Sequence, residues 1–279
     1  GRVDHRDAFL DSHPLEKARG ITIFSDQACF EYDGDTWYWV DTPGHVDFSS
    51  EMERAISVMD YAVLLISCAE GVQSHTETVW RLLERYGVPV FLFLNKTDRA
   101  GADPDAALAA ARRRLSPDIL DLRGGFGPDG TLAQPAAEAV AANDEALLEA
   151  LFTDGYDRQA WLESLIGQIR RRAAFPLMAG SALKGEGVAE FLRMLSVLTP
   201  TEYHLRAGEP FRAKAAKVRV DAQGSRLVFL KIAAGRLGAR DEIMTPEGTA
   251  KVTELRVYNG VRFRQTASAE AGDLVAAAG

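Results

Sequence analysis

The 279 residues predict an α/β domain with a parallel sheet, followed by a small all-β barrel domain. Between residues 62 and 198, short apolar runs alternate with segments of helical period. Runs that are apolar almost throughout suit strands covered on both faces of a parallel sheet. From about Glu209 onward the pattern turns to short alternating strands, separated by Gly-containing turns such as Gln223-Gly224 and Asn259-Gly260, which is how small barrels read. Polar tetrapeptides also sit directly after several apolar runs, at the carboxyl ends of the expected strands, where open α/β sheets bind ligands.

The elements follow in order. Residues 23–41 hold two runs rich in β-branched and aromatic side chains flanking Asp33-Gly34, a dipeptide that favours a tight hairpin turn. Strands are expected at 62–67, 88–94 and 176–180. Helices are expected at 76–86, 106–115, 158–172 and 188–198, the last closed by Pro200. Residues 118–153 change character, with Gly124, Gly125, Gly127 and Gly130 ahead of an Ala-rich, acidic helical stretch, and read as an insertion. The barrel strands are placed at 213–220, 227–233 and 251–257.

Composition narrows the class. The chain is 47% hydrophobic and 26% charged, as globular proteins are, and the sequence shows neither a signal peptide nor an apolar run able to span a bilayer. Its only cysteines, Cys29 and Cys68, lie inside apolar runs without metal-ligand spacing, which predicts buried free thiols in a reducing compartment, the cytoplasm. A formal net charge of −8 argues against whole-surface attraction to nucleic acid, although a local basic face can still touch RNA.

The strand ending at Val40 runs into Asp41-Thr42-Pro43-Gly44-His45. In a GTPase the Asp41 carboxylate would hold a water of the Mg²⁺ shell, the Gly44 N–H would meet the γ-phosphate, and His45 would orient the attacking water. Asn95-Lys96-Thr97-Asp98 follows the next apolar strand but one. A carboxylate at Asp98 can accept from guanine N1–H and the 2-amino group, neither of which adenine offers, so it is the physical source of base choice. Ser181-Ala182-Leu183-Lys184 follows the strand after that, where the Ala182 N–H would approach guanine O6. Upstream, Arg19-Gly20-Ile21-Thr22 precedes the hairpin, and Thr22 could lend its hydroxyl to Mg²⁺.

Taken together and in this order, these segments resemble the translational GTPases over nearly the whole chain. The run Arg19 to Ile23, then Asp41-Thr42-Pro43-Gly44-His45-Val46-Asp47-Phe48, then Glu51-Met52-Glu53-Arg54, is similar to elongation factor G and its relatives, including the tetracycline-resistance ribosomal protection proteins. Gly1-Arg2-Val3-Asp4 and the short separation of Asp98 from Ser181 resemble the ribosomal protection branch. The resemblance implies a P-loop GTPase-type domain at 1–205, with the insertion at about 118–153, and a β-barrel second domain at 206–279. It implies GTP or GDP and Mg²⁺ as ligands and the ribosome as partner. Thr22 belongs to switch I; Asp41, Gly44 and His45 to switch II, with His45 the catalytic residue; Asn95, Lys96 and Asp98 to base recognition; Ser181 and Ala182 to the base loop. The expected molecule is a monomer that does not enter membranes.

The family pattern opens with a strand, a Gly-x-x-x-x-Gly-Lys-[Ser/Thr] loop and a helix that cradle the β- and γ-phosphates. No Gly-Lys dipeptide occurs in these 279 residues, and Gly180 to Gly185, the nearest decoy, continues with Glu186. The reading is a chain truncated at both ends, with weak nucleotide binding of its own and an exposed apolar sheet edge where the first strand would pair. Three alternatives stay open beside ribosomal protection. One is an elongation-factor-G-type translocation factor. Another is a degenerate, non-catalytic binding module. The third, a tRNA-carrying or sulfate-activating GTPase, fits poorly with Glu51-Met52-Glu53-Arg54.

Overall fold

The computed structural model describes residues 10, 26–43, 49–221, 224–246 and 248–279, and the chain separates into two compact units, Asp60–Pro200 and a second formed by Gly1–Met59 with Thr201–Gly279. The second unit opens with a hairpin of β1 (Gln27–Tyr32) and β2 (Asp35–Val40), paired from Gln27↔Val40 to Tyr32↔Asp35. Asp33 and Gly34 both take positive φ, 54° and 86°. That is what a two-residue turn matched to strand twist demands, and the reason Asp-Gly sits there. Helix α1 (Ser49–Ile56) follows and buries Met52, Ala55 and Ile56.

The unit Asp60–Pro200 contains β3 (Ala62–Ser67), α2 (Ser74–Arg85), β4 (Val90–Asn95), α3 (Pro104–Arg114), β5 (Ile119–Asp121), α4 (Gln134–Ala141), α5 (Glu145–Thr153), α6 (Arg158–Arg170), β6 (Phe175–Ala179) and α7 (Val188–Leu198). Its four strands run parallel in the order β3-β4-β6-β5. Strand β4 is central, and Val90, Phe91, Leu92 and Leu94 are 0% exposed, as its unbroken apolar run requires. Local signals start the helices: Asp103 caps α3 by accepting from the Asp105 and Ala106 N–H groups, with Pro104 as first residue, and Asp157 caps α6.

Residues 118–153, expected as an insertion, are built into this unit. Strand β5 pairs with β6, Trp161 of α6 is fully buried and donates Nε1–H to the Ala137 carbonyl at 2.9 Å, and Gln168 donates to the Val140 carbonyl at 2.9 Å. Among the described residues β3 is an edge strand, and its outward Val63 and Leu65 are 37% and 60% exposed.

The rest of the second unit is all-β. After a short 3-10 turn at Tyr203–Arg206 come β7 (Arg212–Val220), β8 (Arg226–Ala234), β9 (Arg236–Gly238), β10 (Glu242–Thr245), β11 (Gly248–Lys251), β12 (Glu254–Asn259), β13 (Arg262–Thr266), β14 (Ser268–Glu270) and β15 (Leu274–Ala278). Five of them form an antiparallel sheet in the order β13-β12-β15-β8-β7, and β9–β14 and β10–β11 form two smaller pairs. The strand expected at 251–257 is two strands, broken where Val252 turns inward to 3% exposure. Ile232, Leu255, Val257 and Val275 fill the interior, with Cys29 and Tyr38 of the hairpin packed against it. The hairpin is bonded there too: the Gly260 N–H donates to the Gln27 carbonyl at 2.8 Å and the Tyr38 hydroxyl to Asp273 Oδ1 at 2.9 Å. Both cysteines are free, Cys68 buried and Cys29 half-buried.

Candidate functional site

Within Asp60–Pro200 the parallel register sets Ile66, Leu94 and Ala179 side by side, so β3, β4 and β6 deliver their following residues to one edge of the sheet. Asn95 is the last residue of β4. Its Oδ1 accepts the Lys96 N–H at 2.8 Å and the Ala182 N–H at 3.0 Å, while its carbonyl accepts the Cys68 N–H at 2.9 Å. One side chain therefore joins the two expected base-recognition segments, and its main chain joins the loop after β3. Two further bonds close the seam, Gly180 N–H to the Leu94 carbonyl at 2.9 Å and Thr97 N–H to the Gly180 carbonyl at 3.2 Å.

The turn at Gly180 is too tight for any other residue, since a Cβ there would lie 2.1 Å from the Glu186 carbonyl oxygen and 2.9 Å from the Phe93 ring. Gly180 to Gly185 thus belongs to the turn after β6 that carries Ser181 and Ala182, packed against β4. Lys96 is held at φ 65°, an uncommon conformation for a side-chain-bearing residue and one that persists where surrounding bonds enforce it.

Ser181 is fully buried, and its side chain bonds to Asp98, which is the main reason the Asp98 carboxyl stays below the usual carboxylate range. A partly exposed carboxylate, ionised and aimed by a buried hydroxyl, is an acceptor pair suited to the two adjacent N–H donors of guanine. The Ala182 N–H, expected to address guanine O6, is bonded here to Asn95. Glu70 in the loop after β3 was not singled out by the sequence; its carboxylate lies 3.7 Å from Lys96 Nζ and 4.0 Å from Arg99. A single Glu in a Gly-containing turn carries no periodic signal that could have found it.

Asp41 lies in the other unit, directly after β2. Its N–H donates to the Asp26 carbonyl at 2.8 Å, and its Oδ1 accepts the Thr42 N–H at 3.0 Å. Carboxylate oxygen is the donor type Mg²⁺ prefers, and Mg²⁺ commonly keeps several waters and few protein ligands, so Asp41 fits the ion. Thr22, Gly44 and His45 lie outside the described residues.

Residues 1–201 match the family model of the elongation factor Tu GTP binding domain. The chain therefore belongs to the translational GTPases. Its relatives include the oxytetracycline resistance protein of Streptomyces rimosus, 36% identical over all of this chain and 46% of that protein. The tetracycline resistance protein TetM of Streptomyces lividans is 35% identical over 93% of the chain and 44% of its own length. Elongation factor G 1 of Geobacter sulfurreducens is 32% identical over the whole chain and 49% of its own length. The crystal structure of a Thermus thermophilus protein superposes with a TM-score of 0.88 at 25% identity, covering the whole chain and 47% of that protein. The chain spans about half the length of the curated relatives it matches.

Proposed function

We propose that the whole protein binds and hydrolyses GTP with Mg²⁺ on the ribosome and couples loss of the γ-phosphate to a conformational change, acting in the manner of tetracycline-resistance ribosomal protection. The observation that carries this reading is the seam at Asn95: a prebuilt junction that presents an ionised Asp98 where a guanine edge can meet it. Asn95, Lys96, Asp98, Ser181 and Ala182 form the base site. Asp41 holds a water of the Mg²⁺ shell and Thr22 supplies its hydroxyl. Gly44 addresses the γ-phosphate, and His45 orients the water that attacks it. The protein acts in the cytoplasm as a monomer. The GTP-binding domain extends to about residue 205, and residues 206–279 form a second domain that meets the ribosome. Residues 206–279 hold thirteen Lys and Arg against eight Asp and Glu in a chain of net charge −8, a local excess of positive charge suited to RNA phosphates.

The 279 residues alone bind nucleotide weakly, because they hold no Gly-Lys-[Ser/Thr] loop to supply donors to the phosphates. The reading of an elongation-factor-G-type translocation factor rests on the 32% identity to such a protein over the whole chain.

The test is nucleotide competition in the whole protein. Asp98→Asn removes an acceptor from the guanine donors and is expected to lower the preference for GTP over ATP by about 10³-fold. An unchanged preference refutes the base site. Release of tetracycline from loaded ribosomes separates protection from translocation, since a translocation factor leaves the drug bound.

A further inference from the structure

The strongest unexplained cluster of charge lies at the foot of β1, in the unit that carries Asp41. The Asp26 side chain is 9% exposed, and its Oδ1 pairs with the Arg219 guanidinium and, at 3.7 Å, with Lys217 Nζ, whose side chain is 11% exposed. Lys217 also stands 4.6 Å from the centre of the Phe229 ring, and Glu51 of α1 contributes to the field around it. Lys217 and Arg219 are two apart on β7, opposite Phe229 and Leu227, so both cations leave the same face of the strand. A carboxylate and an ammonium this far out of water are tolerable only as a pair, and removing either leaves an uncompensated buried charge.

Asp26 has a second role through its main chain. Its carbonyl is the acceptor for the Asp41 N–H at 2.8 Å. The residue locked by two cations of β7 is therefore the one that fixes the backbone of Asp41.

We propose that Asp26 is a positioning residue for Asp41: the ion cluster with Lys217 and Arg219 fixes the start of β1, and through it the direction from which the Asp41 carboxylate addresses the hydrated Mg²⁺ of the nucleotide. Strand β7 thereby sets where the Asp41 carboxylate stands. This rests on the GTPase reading, and the experiment separates the two.

In the whole protein, release of a fluorescent GDP is followed as a function of Mg²⁺ concentration, beside a thermal melt. Asp26→Asn is expected to raise the half-saturating Mg²⁺ about three- to tenfold, and Asp26→Asn with Lys217→Met, which removes both buried charges, to regain melting temperature while the Mg²⁺ curve stays raised, because the cluster that positions Asp41 is gone. Lys217→Met alone leaves Asp26 its Arg219 partner and shifts the curve less, in the same direction; it carries the test if Asp26→Asn does not fold. A lowered melting temperature with an unmoved Mg²⁺ curve reduces the cluster to a structural pin and overturns the proposal. Failure of the unaltered protein to bind fluorescent GDP refutes the GTPase reading itself.

Discussion

The junction at Asn95 and the cluster at Asp26 both hold a strand end that leads into a carboxylate, Asp98 or Asp41, and they do it by opposite means. At Asn95 the fastening is neutral and near water: an amide oxygen shared by two main-chain N–H groups, with a buried hydroxyl steering Asp98. At Asp26 it is charged and dry, with a carboxylate and an ammonium each about one-tenth exposed. Neutral hydrogen bonds exchanged with water are worth about 1 kcal/mol each, whereas a broken buried pair costs about 3–5 kcal/mol. The first arrangement suits a loop that can open and close, and the second suits a strand that must not move.

The largest expected effect lies in the charged cluster and in its response to pH. Burial, with Arg219 alongside, pulls the Lys217 pKa down to about 8, against the partial support of Asp26 and Glu51. An unfolded lysine titrates near ~10.4. Between these values the unfolded chain binds more protons than the folded one, so this group's contribution to stability rises with pH across the window. The cost of keeping Lys217 charged is fully present below about pH 8 and relieved toward pH ~10.4. Denaturant unfolding at about pH 7 and about pH 10 is therefore expected to show Lys217→Met gaining about 1–3 kcal/mol less than the parent over that rise. Parallel pH profiles for the two would refute the burial argument.

The neutral junction should give less. Asn95→Ala leaves the Lys96 and Ala182 N–H groups without their shared acceptor, and because Ala182 is exposed water can replace one bond. A loss of about 1–2 kcal/mol in unfolding free energy is expected, together with guanine-nucleotide affinity lower by about tenfold, since both base segments lose their common anchor. Normal affinity in the variant would show that the segments find their places without Asn95, and the contrast between the two fastenings would fail.

How much of this could be read in advance follows the same division. The hairpin, the parallel strands and the polar junction after β4 were legible because each carries a local signal: Asp33-Gly34 for the turn, an unbroken apolar run for β4, a polar tetrapeptide after it. Strand β5 was not, because three residues ending a Pro- and Asp-containing loop have no periodicity, and their pairing is decided by β6. The extent of β12 is hidden in the sequence because Val252, apolar and in line with the strand, points into the core from a break. Asp26 gave no signal at all. It stands 191 residues before Lys217 in sequence, and a buried ion pair of that separation exists only once the chain is folded.

The smallest effect is expected at Glu70, and it tests whether charge at the surface of the neutral junction matters. Its carboxylate lies 3.7 Å from Lys96 Nζ and 4.0 Å from Arg99, but it is 55% exposed, so solvent and salt screen both attractions. What favours a measurable role is that both main chains are fixed: Lys96 sits at φ 65° with its N–H bonded to the Asn95 side chain, and the Glu70 loop is closed by the Gly71 N–H to the Ser67 carbonyl at 2.8 Å. The two backbones are thus already placed, and pairing costs only side-chain entropy. Glu70→Ala should weaken GDP binding by about two- to threefold in low salt and by less at high salt. An effect that is large and indifferent to salt would place Glu70 in contact with the nucleotide and make the base site, like the Asp26 cluster, one that charge holds together.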